Sequence, residues 1–201
     1  IAFEGVRITT LSISPAVVRV ETDCSDGEVA VEILDGEQTV ASGCGRDCSI
    51  EIPDAKLWDD ENPALYTCRV TLSVNGTQKD TTQVVFGIRK IEWNKNGFFI
   101  NGKQKQLRGG CIHHDNGILG AATFAKSEER RVRIMKEVGF NAIRSAHTPA
   151  SKALLAACDR LGMLVMDETY DMWYSSKTYY DYGRDFESCW RDDVTAMVNR
   201  D

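Results

Sequence analysis

The chain has 201 residues, 42% of them hydrophobic and 27% charged, the balance of an ordinary globular protein of one or two domains. No run approaches the roughly 18 apolar residues that would cross a bilayer, so no membrane partner is expected, and Ile1-Ala2-Phe3-Glu4 lacks the basic and apolar regions of a leader peptide. The net charge of −6 is uneven: residues 1–88 carry 15 acidic and 6 basic side chains (net −9), residues 89–201 carry 15 and 18 (net +3), which predicts a domain break near residue 88. The basic surplus forms no stripe, which argues against nucleic acid as a partner. The chain opens without Met on strand-like sequence and closes inside a helical pattern, so both ends read as cut from a longer protein.

The first half alternates. Short runs at 7–13, 17–22, 39–42 and 49–52 are bounded by Gly, Asp, Ser or Pro. Val29, Val31 and Ile33 recur at period two, as do Tyr66, Cys68, Val70, Leu72 and Val74. Asn75-Gly76 follows, a dipeptide suited to the positive φ angles of a type I′ hairpin turn, and residues 81–86 read as the returning strand. About seven short strands in this space predict a β-sandwich. The Cys…Trp…Cys core of antibody domains is missing.

The second half changes period. Residues 98–103 predict a small hairpin and 106–111 a strand. Ser127 is the expected N-cap of a helix with Glu128 and Glu129 in its first turn; Val132, Met135 and Val138 line one face, and Gly139 stops it. A strand follows over 140–146. Ser151 caps the next helix, with Leu154, Leu155, Cys158 and Leu161 as its apolar face and Gly162 as its stop, and 163–167 is a buried strand. Helix, Gly, strand thus repeats 23 residues apart, the βαβ rhythm of a parallel sheet whose strands are covered on both faces. Residues 186–198 predict a third helix.

Ligands of parallel α/β folds bind at the C-terminal strand ends. Three such ends carry Cys111-Ile112-His113-His114-Asp115, then Arg144-Ser145-Ala146-His147-Thr148-Pro149, then Asp167-Glu168-Thr169-Tyr170-Asp171-Met172-Trp173. All three histidines of the chain fall there. Carboxylates accept two or more hydrogen bonds and suit sugar hydroxyls. A rim Trp can stack on the C–H face of a pyranose, or simply belong to the core. The candidate sugar-binding residues are His114, Asp115, Arg144, His147, Asp167, Glu168 and Trp173. His113, His114 and Asp115 also admit a metal reading, but adjacent strand residues point to opposite faces, so no metal and no cofactor is expected. The seven cysteines are odd in number, with no CxxC pair; free thiols and a cytoplasmic setting are expected, with Cys44–Cys48 as the one closely spaced alternative bridge.

Asn141-Ala142-Ile143-Arg144-Ser145-Ala146-His147-Thr148-Pro149, with Leu154-Leu155, Asp159 and Gly162-Met163-Leu164-Val165-Met166, resembles the first signature of family 2 glycoside hydrolases, which include β-galactosidases, β-glucuronidases and β-mannosidases. The departure is Thr148, where the signature has Tyr. Leu57-Trp58, Glu61-Asn62-Pro63 and Leu65-Tyr66 resemble the family's sandwich segment, and Phe86-Gly87-Ile88-Arg89-Lys90-Ile91 its junction. Phe99-Ile100-Asn101-Gly102-Lys103, Leu107-Arg108-Gly109-Gly110 and His114-Asp115 resemble the barrel opening, and Asp167-Glu168 with Asp171-Met172-Trp173 is most similar to the β-galactosidase branch. The resemblance covers roughly residues 50–201.

It implies an immunoglobulin-like β-sandwich over 1–88 and the first units of a (β/α)8 barrel over 89–201. It implies a carbohydrate substrate and retaining cleavage of a β-glycosidic bond by two carboxyl groups. In the family the acid/base Glu lies in an Asn-Glu pair after the fourth strand and the nucleophile after the seventh; this chain has no Asn-Glu dipeptide, so neither is expected within it. An incomplete barrel would leave an open strand edge, so self-association, or disorder beyond about residue 90, is expected. The alternatives are a non-catalytic carbohydrate-binding or interdomain module, and a metal-dependent barrel enzyme of another class.

Overall fold

The computed structural model describes residues 1–201, which form two compact units, Ile1–Gln106 and Leu107–Asp201. Each is taken by itself.

In the first unit, alternating apolar residues become the facing layers of a sandwich. One sheet pairs β1 (Val6–Ile13), β2 (Ala16–Thr22) and β5 (Asp47–Glu51) in the order β1-β2-β5. The other pairs β3 (Glu28–Asp35), β4 (Gln38–Cys44), β6 (Tyr66–Val74) and β7 (Thr77–Phe86) in the order β4-β3-β6-β7, and all these pairings are antiparallel. Side chains on a strand alternate between faces, so Val18 and Val20 of β2, Val31 and Ile33 of β3, and Cys68 and Val70 of β6 meet in one core and are 0–1% exposed. Fully burying an aliphatic side chain is worth about 1.5–3 kcal/mol. Opposite Ile33 and Leu34 the partner strand β4 carries one extra residue, Val40, and Leu34 is buried as well as Ile33. Asn75 and Gly76 take φ of 50° and 73°, the left-handed pair that a type I′ turn requires.

A smaller sheet, β8 (Ile91–Asn94), β9 (Gly97–Ile100) and β10 (Lys103–Lys105) in the order β10-β9-β8, completes this unit. It is tied to the sandwich at Trp58, which is 1% exposed. The Trp58 N–H donates to the Ile88 carbonyl (2.8 Å), Asn101 Nδ2 donates to the Trp58 carbonyl (3.0 Å), and the Arg89 guanidinium lies 4.6 Å over the indole. Lys105 Nζ meets Asp60 at 2.8 Å. The compact unit therefore runs to Gln106, past the charge break at residue 88.

The second unit is built on a three-stranded parallel sheet, β11 (Gly109–Ile112), β12 (Ala142–Ser145) and β13 (Leu164–Met166), in chain order. Two helices connect the strands, α1 (Ala125–Glu137) and α2 (Lys152–Leu161), and α3 (Phe186–Arg200) follows. Val132 of α1, Ile143 of β12 and Leu154, Ala157 and Cys158 of α2 form the core. Ser151 caps α2 as expected, its Oγ accepting from the Leu154 N–H at 3.1 Å, and Gly162 closes it at φ 72°. Ser127 does not cap α1. The helix starts at Ala125 with Phe124 as N-cap: the Phe124 carbonyl already accepts from the Ser127 (2.9 Å) and Glu128 (3.1 Å) N–H groups, so Ser127 lies inside the first turn and its hydroxyl donates to Asn116 Oδ1 at 2.9 Å. Val138 is 68% exposed and belongs to the helix end, not its apolar face.

The strands are shorter and less covered than their composition predicts. β11 begins only at Gly109, after Arg108, whose backbone Asn141 occupies: Asn141 Oδ1 accepts from the Arg108 N–H (2.7 Å), and the Arg108 carbonyl accepts from the Asn141 N–H (2.9 Å). Ile143 and Ser145 are buried, whereas Gly109, Gly110, Cys111 and Met166 are exposed. The edges of β11 and β13 away from β12 have no strand partner. All seven cysteines are free, and no helix is long and apolar enough to cross a membrane.

Candidate functional site

Parallel strands all deliver their C-terminal ends to one rim, where the next segments leave the sheet. β12 ends in Ser145, and its last outward-pointing side chain is Arg144. His147 follows one turn later, after a cis Ala146–His147 peptide. β13 ends in Met166, and Asp167 and Glu168 follow. The parallel register pairs Arg144 with Met166 on one side and Cys111 on the other, so Arg144 reaches both neighbours.

Glu168 is the hub. Arg144 Nε donates to its Oε1, and His147 Nδ1 lies 3.0 Å from its Oε2. Burial pushes the Glu168 carboxyl up, but the hydrogen bonds from Arg144 and His147 outweigh it and hold the group below the usual carboxylate range. An ionised carboxylate only accepts, so the Nδ1–H of His147 is the donor. Arg144 Nη1 also contacts Cys111 Sγ at 3.5 Å, and Cys111 and Glu168 together raise the guanidinium above its ordinary value. The His113 ring stands edge-on to His147, 5.6 Å between centroids.

These groups open into a cleft of about 570 Å³, lined by Arg144, His147, Glu168, Asp171, Trp173 and Trp190 among others. Trp173 is 66% exposed and is therefore a cleft wall, not core. Asp171 is held below the usual carboxylate range by Lys177, whose Nζ is 2.9 Å away. The cleft thus offers two held carboxylates, a guanidinium, an ammonium, an imidazole and two indoles. That is the equipment for hydroxyl groups on one side and a C–H face on the other.

The remaining expected residues lie elsewhere. His114 and Asp115 do not line the cleft: Asp115 Oδ1 caps the Gly117 N–H (3.1 Å), and His114 Nε2 is buried without a hydrogen-bond partner. Asp167 turns inward, its Oδ1 accepting from the Ala150 (2.8 Å) and Glu168 (3.1 Å) N–H groups, and burial pushes its carboxyl above the usual range. It braces the turn after His147 against the end of β13. Sequence reasoning missed Trp190, Lys177 and the contact of His113 with His147. Trp190 sits on α3, far along the chain, and only the fold brings it to the rim.

Along the chain, an antiparallel sandwich is thus followed by a parallel βα sheet with a carboxylate, guanidinium and aromatic rim. The chain belongs to glycosyl hydrolases family 2. The family's sandwich model, "Glycosyl hydrolases family 2", matches residues 6–89, and its "TIM barrel domain" model matches 91–189. Its sandwich is followed by the start of a TIM-barrel domain. The β-galactosidase BoGH2A of Bacteroides ovatus is 37% identical over 180 residues, 89% of this chain and 21% of that protein. A putative β-glucuronidase of Formosa agariphila is 33% identical over 76% of this chain and 15% of its own length. The crystal structure of a family 2 member from Bacteroides cellulosilyticus superposes with a TM-score of 0.90 at 38% identity, covering 100% of this chain and 29% of that one. The chain therefore spans 15–29% of the length of these relatives.

Proposed function

We propose that this chain carries part of the sugar-binding rim of a retaining β-glycosidase, most like a β-galactosidase. The observation that carries the reading is the grip of Arg144 and His147 on Glu168 at the mouth of a cleft walled by Trp173. In this reading Glu168, Arg144 and His147 orient sugar hydroxyls and Trp173 stacks on the ring. Asp167 supports them from behind, and His114 and Asp115 belong to the loop after β11.

The two catalytic carboxyl groups are assigned to barrel strands other than these three. Retaining cleavage needs one carboxyl kept protonated as acid and a second about 5–5.5 Å away as nucleophile. The two carboxylates lining the cleft, Glu168 and Asp171, are both held below the usual range and so are unsuited to donate a proton near neutral pH. The thiols Cys68 and Cys158, each buried in a hydrophobic core, fit a reducing, cytoplasmic setting.

The test is hydrolysis of a panel of aryl β-glycosides by this chain and by one extended through the whole barrel. The expected result is one sugar cleaved by the extended chain and none by this one. Turnover by this chain alone would overturn the assignment of the carboxylates. Sugar binding without cleavage by the extended chain would favour the accessory-module reading.

A further inference from the structure

The second unit buries one carboxylate that the rim does not use. Glu128 is 1% exposed, in the first turn of α1. A charge in such a place must be paired and hydrogen-bonded. Its Oε1 accepts from Asn116 Nδ2 at 3.0 Å, and its Oε2 from Arg131 Nη1 at 3.3 Å. Asn116 Oδ1 accepts from the Ser127 hydroxyl (2.9 Å) and from Arg131 Nη1 (3.4 Å), and Asn116 Nδ2 also donates to the Ala122 carbonyl (2.9 Å). The other end of the Arg131 fork, Nη2, donates to the His113 carbonyl at 2.7 Å. Three side chains of α1 therefore hold His113 and Asn116 at the start of the segment between β11 and α1, and Asn116 in turn holds Ala122 near its end. An ion pair under a helix is a poor source of net stability compared with apolar packing. What this one does geometrically is fix the first residue after β11.

That residue is His113, whose ring stands edge-on to His147. We infer that Arg131, locked by Glu128 and Asn116, is a positioning residue: it fixes the His113 backbone and, through the His113 ring, the orientation of the His147 imidazole toward Glu168. The inference deepens the proposed reading of the rim and rests on it for the meaning of His147. Neither Glu128 nor Arg131 lines the cleft, so neither is a catalytic residue.

The chain's three histidines make the test direct: ¹⁵N-histidine labelling gives three imidazoles to follow by NMR. Arg131→Met removes the tie but leaves Glu128 unpaired, so the same change is also made with Glu128→Gln, which removes the stranded charge. Both variants are expected to lose the hydrogen-bonded Nδ1 signature of His147 and to shift the His113 signal, with His114 unmoved. Arg131→Lys, which keeps one donor for the His113 carbonyl, is expected to restore the His147 signature. A folded double variant with His147 unchanged overturns the inference. So does a shift of all three histidines together, which marks general loosening. The measurement needs no turnover, so it stands apart from the glycosidase assay: an extended chain that cleaves none of the glycosides, beside the expected signals here, sinks the proposed function and leaves the positioning role intact.

Discussion

His147 Nδ1 lies 3.0 Å from Glu168 Oε2, across 21 residues of chain and two adjacent parallel strands. Arg144 takes the other oxygen of the same carboxylate. One carboxylate therefore joins the ends of β12 and β13, and its ionised form is the one the site is built around.

This gives a signed pH prediction. A carboxyl held below its ordinary value when folded contributes stability that is present above the unfolded value, about pH 4.3 for Glu, and is lost as pH falls through the folded value. Glu168→Gln is expected to lower the melting temperature at pH 7. The gap to the wild type should close as the pH falls through and below 4. A gap of constant size down to pH 3, in melts followed by circular dichroism, would show that the Glu168 charge is not the stabilising element.

Asp167 has the opposite sign. Burial raises its carboxyl, so its contribution is fully present below the ordinary Asp value of about 3.9 and is lost as pH rises through the raised folded value. Ionised Asp167 thus costs stability at pH 7, while its Oδ1 accepts from two backbone N–H groups. Asp167→Asn keeps an acceptor there and removes the charge, so it should melt at or above the wild type. Asp167→Ala strands the two donors and should lose about 1–3 kcal/mol. Equal losses in both variants, by urea unfolding, would count against the bracing role.

Gly109 pairs with Ala142 at the start of β11. A Cβ added there would lie 1.7 Å from the Ala142 carbonyl oxygen. Backbone cannot yield as a flexible side chain does, so Gly109→Ala should unpair β11 and destabilise the second unit by about 4 kcal/mol or more. Hydrogen exchange should then rise at residues 109–112 and 142–145 while β6 of the sandwich stays protected. Unchanged protection of β12 would show that the strands can separate slightly without cost.

The outer edges of β11 and β13 have no strand partner, and Met166 at the end of β13 is 60% exposed. Open strand edges template pairing with other chains. Light scattering at micromolar concentration is expected to find this chain associated, and Met166→Lys to shift it toward monomer. A monodisperse wild-type monomer would remove the case for edge pairing.

Much of this was legible in the residues. Period-two alternation placed β3 and β6, because a sandwich strand covered on one face must alternate. Asn75-Gly76 announced its turn through φ angles that few other residues take. Ser151 and Gly162 marked both ends of α2. The strand-end rule brought Arg144, His147 and Glu168 to one rim. Ser127 misled because a hydroxyl before two glutamates looks like a cap, and nothing local reveals that the helix already begins at Phe124, with no side-chain cap.

The sequence by itself determined the order of elements, the change from sandwich to parallel sheet, and the stretch of chain where polar groups gather. Only the tertiary structure decided which of those groups face one another. It turned Asp167 inward and Glu168 outward from adjacent positions, set His113 rather than His114 against His147, and brought Trp190 from α3 to the cleft. The reason is physical: pattern fixes which face of an element is apolar, but a contact between side chains depends on the register of neighbouring strands and on the path of the loops between them.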